Sequence, residues 1–369
     1  MTSRRRIAAA MLGAVGFFLA VQIGALWLQE PFTVAEYQAV EDPTDPANSI
    51  LYIGVLLVAT VGMLLLMKYD LTRVLRAFIV LTSGLISAYV FSIFVPPIVG
   101  EPGTLHLGAL LGGAVIVLGL ALYPEWWVID AAGLVMGMGA AALFGISLDV
   151  LPVLLLLTVL AVYDAISVYG TEHMLTLASG VMELRVPVLI ILPTTRSFSF
   201  REMAADLDTA EETTDPGESE TGDPADMGSA DAVDTGSADA AGAGSADAAD
   251  AGSADPADAG GSATEDPDNP LDRDAFFIGL GDVVIPTILV VSAATFLEMP
   301  TVLGLEYAAL GAMIGTLLGL LALLYFVTKG RPHAGLPLLN GGAILGYLLG
   351  AVAGGLTLVE ALGLGPFLV

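Results

Sequence analysis

FFIGLGDVVIP, residues 276–286, is an apolar stretch that contains a single carboxylate, Asp282. Apolar residues continue beyond it as far as Leu297, so the segment has the length and composition of a membrane span. A carboxylate inside a bilayer costs on the order of several kcal/mol unless it is paired, protonated or hydrated. Asp282 is therefore a candidate functional residue, and the small Gly279 and Gly281 beside it would allow another backbone to come close.

The composition of the whole chain is that of a polytopic membrane protein. Of its 369 residues, 56% are hydrophobic and only 14% are charged, and the mean hydropathy is +0.81. The sequence contains nine apolar segments, at residues 7–28, 50–67, 74–95, 105–123, 126–146, 149–169, 276–297, 303–327 and 336–358. It thus predicts an all-α membrane protein with about nine transmembrane helices, the first of which is a retained span rather than a cleaved signal peptide. The chain has no cysteine, which excludes disulfides and thiolate catalysis.

The basic residues predict the orientation of these spans. With nine spans and a cytoplasmic N-terminus, all 12 lysines and arginines fall on the cytoplasmic side, as the positive-inside rule requires. We therefore expect a multi-pass protein of the cell membrane whose C-terminus lies outside.

A long acidic segment divides the chain into two membrane parts. Residues 201–274 contain more than half of the 39 acidic residues, and the sequence GSAD recurs there every eight residues. Large apolar residues are nearly absent, so the segment cannot bury enough surface to offset the entropy of ordering it. We expect a disordered cytoplasmic loop between an N-terminal part, residues 1–200 with about six spans, and a C-terminal part, residues 275–369 with about three.

A second carboxylate, Asp164, lies in the sixth apolar segment about six residues before its cytoplasmic end. Asp282 lies about seven residues after the cytoplasmic start of the seventh. At about 1.5 Å per residue, both would be about 10 Å deep in the membrane and could face each other. The acids near the ends of spans are expected to lie at the membrane interface; these are Asp70, Asp130, Asp149, Glu298 and Glu306.

Two carboxyls that share a site have the chemistry of an aspartic protease. They do not readily ionise together, so the pair holds a single proton. One member acts as a general base on a water molecule, and the other, protonated, polarises the scissile carbonyl and later protonates the amine. This reaction needs neither a metal ion nor a cofactor, and none is expected. Pro286 would loosen the helix beyond Asp282 and admit the water.

These residues resemble the presenilin and signal peptide peptidase family of intramembrane aspartyl proteases. Tyr163 and Asp164 are similar to the YD motif of the family's sixth span. The GLGD motif of its seventh span is matched in full by Gly279-Leu280-Gly281-Asp282.

A third motif of the family, PALP at the start of the ninth span, is matched only in its second half. Leu336 and Pro337 agree with it, whereas Ala334 and Gly335 stand where the family has Pro and Ala. The nine spans, the cytoplasmic N-terminus and the long loop after the sixth span are also similar to presenilin. The signal peptide peptidase branch has the inverted orientation.

The resemblance implies a protease whose catalytic residues are Asp164 and Asp282. The residues that it implies around the catalytic pair are Tyr163, Gly279, Leu280 and Gly281, with Leu336 and Pro337 at the border of the cleft. The implied substrates are transmembrane helices of single-span proteins and membrane remnants left by earlier cleavage. The lipid bilayer is an expected partner, and no obligatory partner subunit is expected.

The segment after the sixth span, residues 185–194, is rich in β-branched residues and favours an extended conformation. One hypothesis is that it offers a free edge to which an unwound substrate adds as a strand, with Val186, Val188 and Ile190 as substrate-binding residues. The alternative is a loop that skims the membrane.

Other functions have less support in the sequence. Zinc proteolysis would need an H-E-x-x-H motif, which the three histidines do not form, and there is no nucleotide-binding motif or basic face for nucleic acid. The alternative from another class is an ion-coupled transporter or a cation leak channel, because paired acids near Gly and Pro also mark ion sites.

Glycines recur at four-residue spacing in the last two spans, and this pattern is typical of helices whose backbones pack closely. They are Gly311, Gly315 and Gly319 in one span and Gly346, Gly350 and Gly354 in the other. We interpret them as structural rather than catalytic residues.

Overall fold

The computed structural model describes residues 3–69, 71–96, 105–170, 189–193, 199, 275–329 and 334–364. They belong to one structural unit, which combines Met1–Leu207 with Asp266–Val369. The predictions for the acidic segment 201–274, for Asp70, and for Val186 and Val188 fall outside the described residues.

Nine long helices make up most of the described part of the chain, and each overlaps one of the nine predicted segments. In chain order they are α1 (Ser3–Val34), α2 (Ala47–Lys68), α3 (Thr72–Phe94), α4 (Leu107–Leu122), α5 (Trp126–Ser147), α6 (Val150–Gly170), α7 (Leu280–Phe296), α8 (Tyr307–Thr328) and α9 (Gly335–Ala353), followed by the one-turn α10 (Leu358–Ala361). Six of the nine, namely α1, α2, α3, α5, α8 and α9, are long and apolar enough to cross a membrane. The predicted class, a helical multi-pass membrane protein, is confirmed.

A pair of strands replaces the start of the seventh predicted span. β1 (Leu189–Pro193) pairs antiparallel with β2 (Ala275–Gly279), and α7 begins only at Leu280. The predicted span 276–297 is therefore wrong at its beginning, where the residues form a strand. A continuous apolar run fits a buried strand as well as a helix, and the aromatic and β-branched residues of β2 favour the strand once a partner is present.

Both faces of the β1–β2 sheet are buried between helices. Ile190 and its cross-strand partner Ile278 point into an apolar cluster formed with α1, α7, α8 and α9. Ile191 and Phe277 point the other way, into a cluster formed with α3, α4 and α5. Because successive side chains of a strand alternate between its two faces, this small sheet joins two groups of helices.

A second, shorter hairpin connects α7 to α8. Its strands are β3 (Thr301–Val302) and β4 (Leu305–Glu306). The two residues between them, Leu303 and Gly304, both have positive φ, at 57° and 81°. Two-residue hairpin loops favour this left-handed conformation, because its twist matches that of the flanking strands.

Helices α8 and α9 pack so closely that their backbones are in contact. A Cβ atom on Gly311 would overlap the carbonyl oxygen of Gly346, and one on Gly315 would overlap that of Gly342. The close packing predicted from the glycine spacing is therefore confirmed. On α9, however, the glycine contacts begin one turn earlier than predicted. Gly342 faces α8, whereas the atom nearest to a Cβ position on Gly354 belongs to a methionine side chain.

Replacing Gly342 by alanine is expected to destabilise the protein by about 1–3 kcal/mol, because the new methyl group overlaps the backbone of Gly315 and forces α8 and α9 apart. A Cβ atom on the neighbouring Gly341 would have no other atom within 4 Å, so Gly341→Ala is a matched control that gains helix propensity. Thermal unfolding in detergent should give a lower Tm for Gly342→Ala only. Equal Tm values for the two variants would contradict the packing.

Candidate active site

Asp282 lies in the first turn of α7, which begins at Leu280. Gly279 precedes the helix in an extended conformation, with φ −63° and ψ 133°, so the chain changes from strand to helix just before the carboxylate. The prediction that Asp282 lies several residues into a helix is therefore wrong. Because a strand rises about 3.3 Å per residue and a helix only about 1.5 Å, the depth expected from a continuous helix does not apply.

Glycines flank the carboxyl group of Asp282. A Cβ atom on Gly279 would lie 3.3 Å from the Oδ2 atom, and one on Gly335 would lie 3.2 Å from the same oxygen. Gly335 is the first residue of α9, so the backbone at the start of α9 packs directly against this side chain. At Gly281 the nearest described atom is Ile285 Cδ1, 3.9 Å from a Cβ position. The sequence predicts that another part of the backbone comes close to the motif glycines. In the structure the backbone of Gly335 comes close to the side chain of Asp282 instead.

Asp164 lies on α6 and contacts the same end of α9. Its Oδ2 atom accepts a hydrogen bond from the backbone N–H of Leu336, with a distance of 3.1 Å between the two heavy atoms. The first N–H groups of a helix have no partner within that helix, and Asp164 satisfies one of them. Pro337, in the same turn, has no N–H that would need a partner. Tyr163, predicted to shape the site, is 54% exposed.

Consecutive residues of α9 therefore contact the two acids. Gly335 packs against Asp282, and Leu336 donates its hydrogen bond to Asp164. The structure thus brings α6 and α7 together at the start of α9, where each of the two acids contacts one of its first residues.

Within the described residues 189–193, the edge that β1 was expected to offer is occupied at Ile191, and the substrate-binding role of Ile190 stays a prediction. The side chain of Ile190 is 1% exposed and packs with Leu280 in the core. One edge of β1 pairs with β2, and on the other edge the N–H of Ile191 is bonded to Asp130. An incoming strand therefore cannot pair with β1 at this position.

Asp130, the fifth residue of α5, is partly buried and accepts the N–H of Ile191 at 2.8 Å; its expected place at the membrane interface stays a prediction. Glu125, the residue that caps the start of α5, accepts a hydrogen bond from the Ser199 hydroxyl at 3.2 Å. The sequence carries a signal for Asp130, an acid within an apolar segment, but no signal for its partner. The carboxyl of Asp149 caps the first turn of α6.

Known proteins are similar to this chain in sequence and architecture. A family model described as signal-peptide peptidase, presenilin aspartyl protease matches residues 15–356. The chain is similar to the structure of a presenilin family intramembrane aspartate protease in space group C222, with 32% identity, a TM-score of 0.58, and coverage of 93% of this chain and 99% of that one. A structure of a presenilin family intramembrane aspartate protease in space group P2 gives 33% identity, a TM-score of 0.55, and coverage of 93% and 97%. No curated protein matches the sequence.

Removing the carboxylate of Asp164 should free the N–H of Leu336. In Asp164→Leu, hydrogen exchange of this amide is expected to become about tenfold faster or more, since a hydrogen bond to a carboxylate contributes about 1.5–3 kcal/mol. Asp164→Asn keeps an oxygen acceptor and should retain most of the protection. Exchange can be followed by mass spectrometry on a peptide that begins α9. Unchanged exchange in Asp164→Leu would contradict the contact.

Proposed function

Because the chain belongs to the signal-peptide peptidase and presenilin family of aspartyl proteases, we propose that Asp164 and Asp282 are the catalytic dyad of this intramembrane protease. The observation that carries the proposal is the contact of both acids with consecutive residues, Gly335 and Leu336, at the start of α9. Both acids lie on apolar helices, where an isolated carboxylate is costly and a paired one is favoured.

Peptide hydrolysis by this dyad follows the chemistry of aspartic proteases. One carboxylate takes a proton from a water molecule while the water oxygen attacks the carbonyl carbon of the scissile peptide. The other carboxyl, protonated, donates its proton to the carbonyl oxygen and gives a gem-diol. When the diol collapses, one of its hydroxyl groups returns a proton to one carboxylate as the C=O bond forms and the C–N bond breaks, and the departing nitrogen takes a proton from the other carboxyl. The N–H of Leu336 holds the Asp164 carboxyl in one orientation for these transfers.

The substrates that fit this site are transmembrane helices of single-span proteins, including membrane remnants of earlier cleavage. Asp164 and Asp282 are carried by α6 and α7, whose apolar residues form a core with α9, so a substrate already in the bilayer has the shortest path to them. The peptide bonds of such a substrate are hydrogen-bonded within its own helix. Cleavage therefore requires that part of the substrate helix unwinds beside the dyad.

The strand β2 is the template on which the unwound segment can extend. It ends at Gly279, just before the turn of α7 that carries Asp282. Within the described residues its sheet has two strands, so one edge of β2 has no strand partner. A substrate strand that pairs with this edge satisfies its own backbone groups and runs towards Asp282. This edge takes the role that the sequence suggested for β1.

The orientation predicted from the basic residues belongs to the same proposal. The N-terminus and the acidic segment 201–274 lie in the cytoplasm, and the C-terminus lies outside the cell membrane. The dyad then lies in the cytoplasmic half of the membrane, because Asp282 is in the first turn of α7. The enzyme works without an obligatory partner subunit.

Replacing either acid by asparagine should reduce cleavage of a generic transmembrane peptide at least about 100-fold, since each carboxyl has a separate proton-transfer role. The variants are Asp164→Asn and Asp282→Asn, assayed in detergent with folding monitored by Tm. Asp149→Asn, which keeps an acceptor at the start of α6, is the matched control and should cleave normally.

Substantial cleavage by either dyad variant would show that the dyad assignment is incorrect. The ion-transport alternative is tested with the same proteins in liposomes. Ion flux that both substitutions abolish, together with no proteolysis by the wild type, would favour transport.

Gly335→Val is expected to lower kcat by about 100-fold, because a branched side chain cannot fit beside the Asp282 carboxyl and displaces it from the reacting geometry. Gly335→Ala should have a smaller effect, since a contact of 3.2 Å is relieved by a shift of a few tenths of an ångström. Gly341→Val, on the open face of the same helix, is the control. Wild-type kcat in Gly335→Val would rule out the close packing of α9 on the dyad.

A further inference from the structure

We propose that Glu125 and Asp130, at the start of α5, are positioning residues that hold the chain around β1 and thereby fix Asp282. The proposal rests on the proteolytic function and dyad proposed above. Neither acid contacts the dyad in the described residues, so they act through the sheet. The device is a clamp with two points of attachment, Asp130 to the backbone of Ile191 and Glu125 to the hydroxyl of Ser199.

The first attachment satisfies a backbone group that would otherwise lack a partner. In an antiparallel pair, alternate residues of each strand direct their N–H and C=O groups away from the partner strand. The N–H of Ile191 is not bonded to β2 but to Asp130, at 2.8 Å. Ile191 is 1% exposed and lies in the same apolar cluster as Ile129 and Ala132 of α5. A free N–H there would be costly, so the acid on α5 fixes where along the helix β1 can lie.

The second attachment holds the chain beyond the strand. Glu125 is 8% exposed, and its two carboxylate oxygens have different partners. Oε1 accepts the N–H of Trp126 at 3.4 Å, whereas Oε2 accepts the Ser199 hydroxyl at 3.2 Å. The chain is thus bonded to α5 both at Ile191 within the strand and at Ser199 beyond its end, and a shift of β1 along α5 would break the first of these bonds.

The register of β1 is transmitted directly to the catalytic carboxylate. Ile191 pairs with Phe277, and β2 leads through Gly279 into the first turn of α7, which carries Asp282. A change of one residue in strand register exchanges the side chains on the two faces of a sheet. Here that exchange would put Ile191 among the wrong helices and move Asp282 relative to α9.

The clamp also decides which strand is available to a substrate. With the Ile191 N–H bonded to Asp130, an incoming strand cannot pair with β1 there, and β2 keeps the open edge. Loss of the Asp130 carboxylate should therefore disturb the positions of the dyad carboxyls more than it weakens substrate binding. The expected kinetic signature is a fall in kcat with little change in KM.

The test compares Asp130→Leu, which removes the acceptor, with Asp130→Asn, which keeps an oxygen and removes only the charge. We expect kcat to fall about 10- to 100-fold in Asp130→Leu and to remain within about threefold of wild type in Asp130→Asn. Hydrogen exchange of residues 189–193 should accelerate in Asp130→Leu and not in Asp130→Asn. The exchange measurement does not depend on proteolysis, so it tests the clamp even if the wild-type protein proves not to cleave the peptide.

Two further variants separate positioning from general destabilisation. Tyr347→Phe removes a buried hydrogen bond of 2.6 Å to the carbonyl oxygen of Ala361, away from the sheet, and should lower Tm without changing kcat or exchange in β1. Ser199→Ala removes the donor at the second attachment without altering α5, and it keeps the test decisive if Asp130→Leu does not fold. It should lower kcat about two- to fivefold and accelerate exchange in β1.

The clamp is refuted by wild-type kcat and wild-type exchange in Asp130→Leu, or in Ser199→Ala where Asp130→Leu fails to fold. Equal losses of kcat in Asp130→Leu and Asp130→Asn would also overturn it, because the charge rather than the hydrogen bond would then be the essential property. Tyr347→Phe with the same loss of kcat as Asp130→Leu would reduce the role of Asp130 to stability.

Discussion

The backbone at the start of α9 is the constraint on which the rest of the site depends. It contacts Asp282 through Gly335 and Asp164 through the N–H of Leu336. Helix α9 cannot shift on its own, because glycines bring its backbone into contact with that of α8 over several turns. The position of the α9 start against the two acids is therefore supported by the packing of α8 against α9.

The β1–β2 sheet is a stretch of non-helical backbone within a helical membrane protein, and its polar backbone groups need hydrogen-bond partners. Non-helical backbone at membrane depth is tolerated only where it is enclosed by protein or faces water, because its polar groups need partners. Here both faces of the sheet are covered by helices, and an acid on α5 takes up the outward N–H of Ile191. The change from strand to helix at Gly279 puts Asp282 at a helix start, next to the end of β2, whose outer edge has no strand partner within the described residues.

Much of this architecture could be predicted from the sequence, and the failures have physical causes. The nine apolar segments, and the two acids that lie well inside the sixth and seventh of them, are strong signals, because charges are rare in such segments. The sequence of β2 predicts helix because its run of apolar residues has no period that separates strand from helix, and its partner strand lies far earlier in the chain. The place of Asp130 could not be predicted because its partner is a backbone N–H, which leaves no trace in the sequence. Gly335 departs from the family motif, and only the structure reveals its contact with Asp282.

The arrangement of the dyad is tested most directly by an experimental structure of the protein bound to a peptide transition-state analogue, whose hydroxyl group replaces the attacking water. We expect that hydroxyl to lie within hydrogen-bond distance of both Asp164 and Asp282, with the N–H of Leu336 still bonded to Asp164. A hydroxyl held by one acid alone while the other carboxyl points away, or an analogue bound outside the junction of α6, α7 and α9, would contradict the joint action of the two acids.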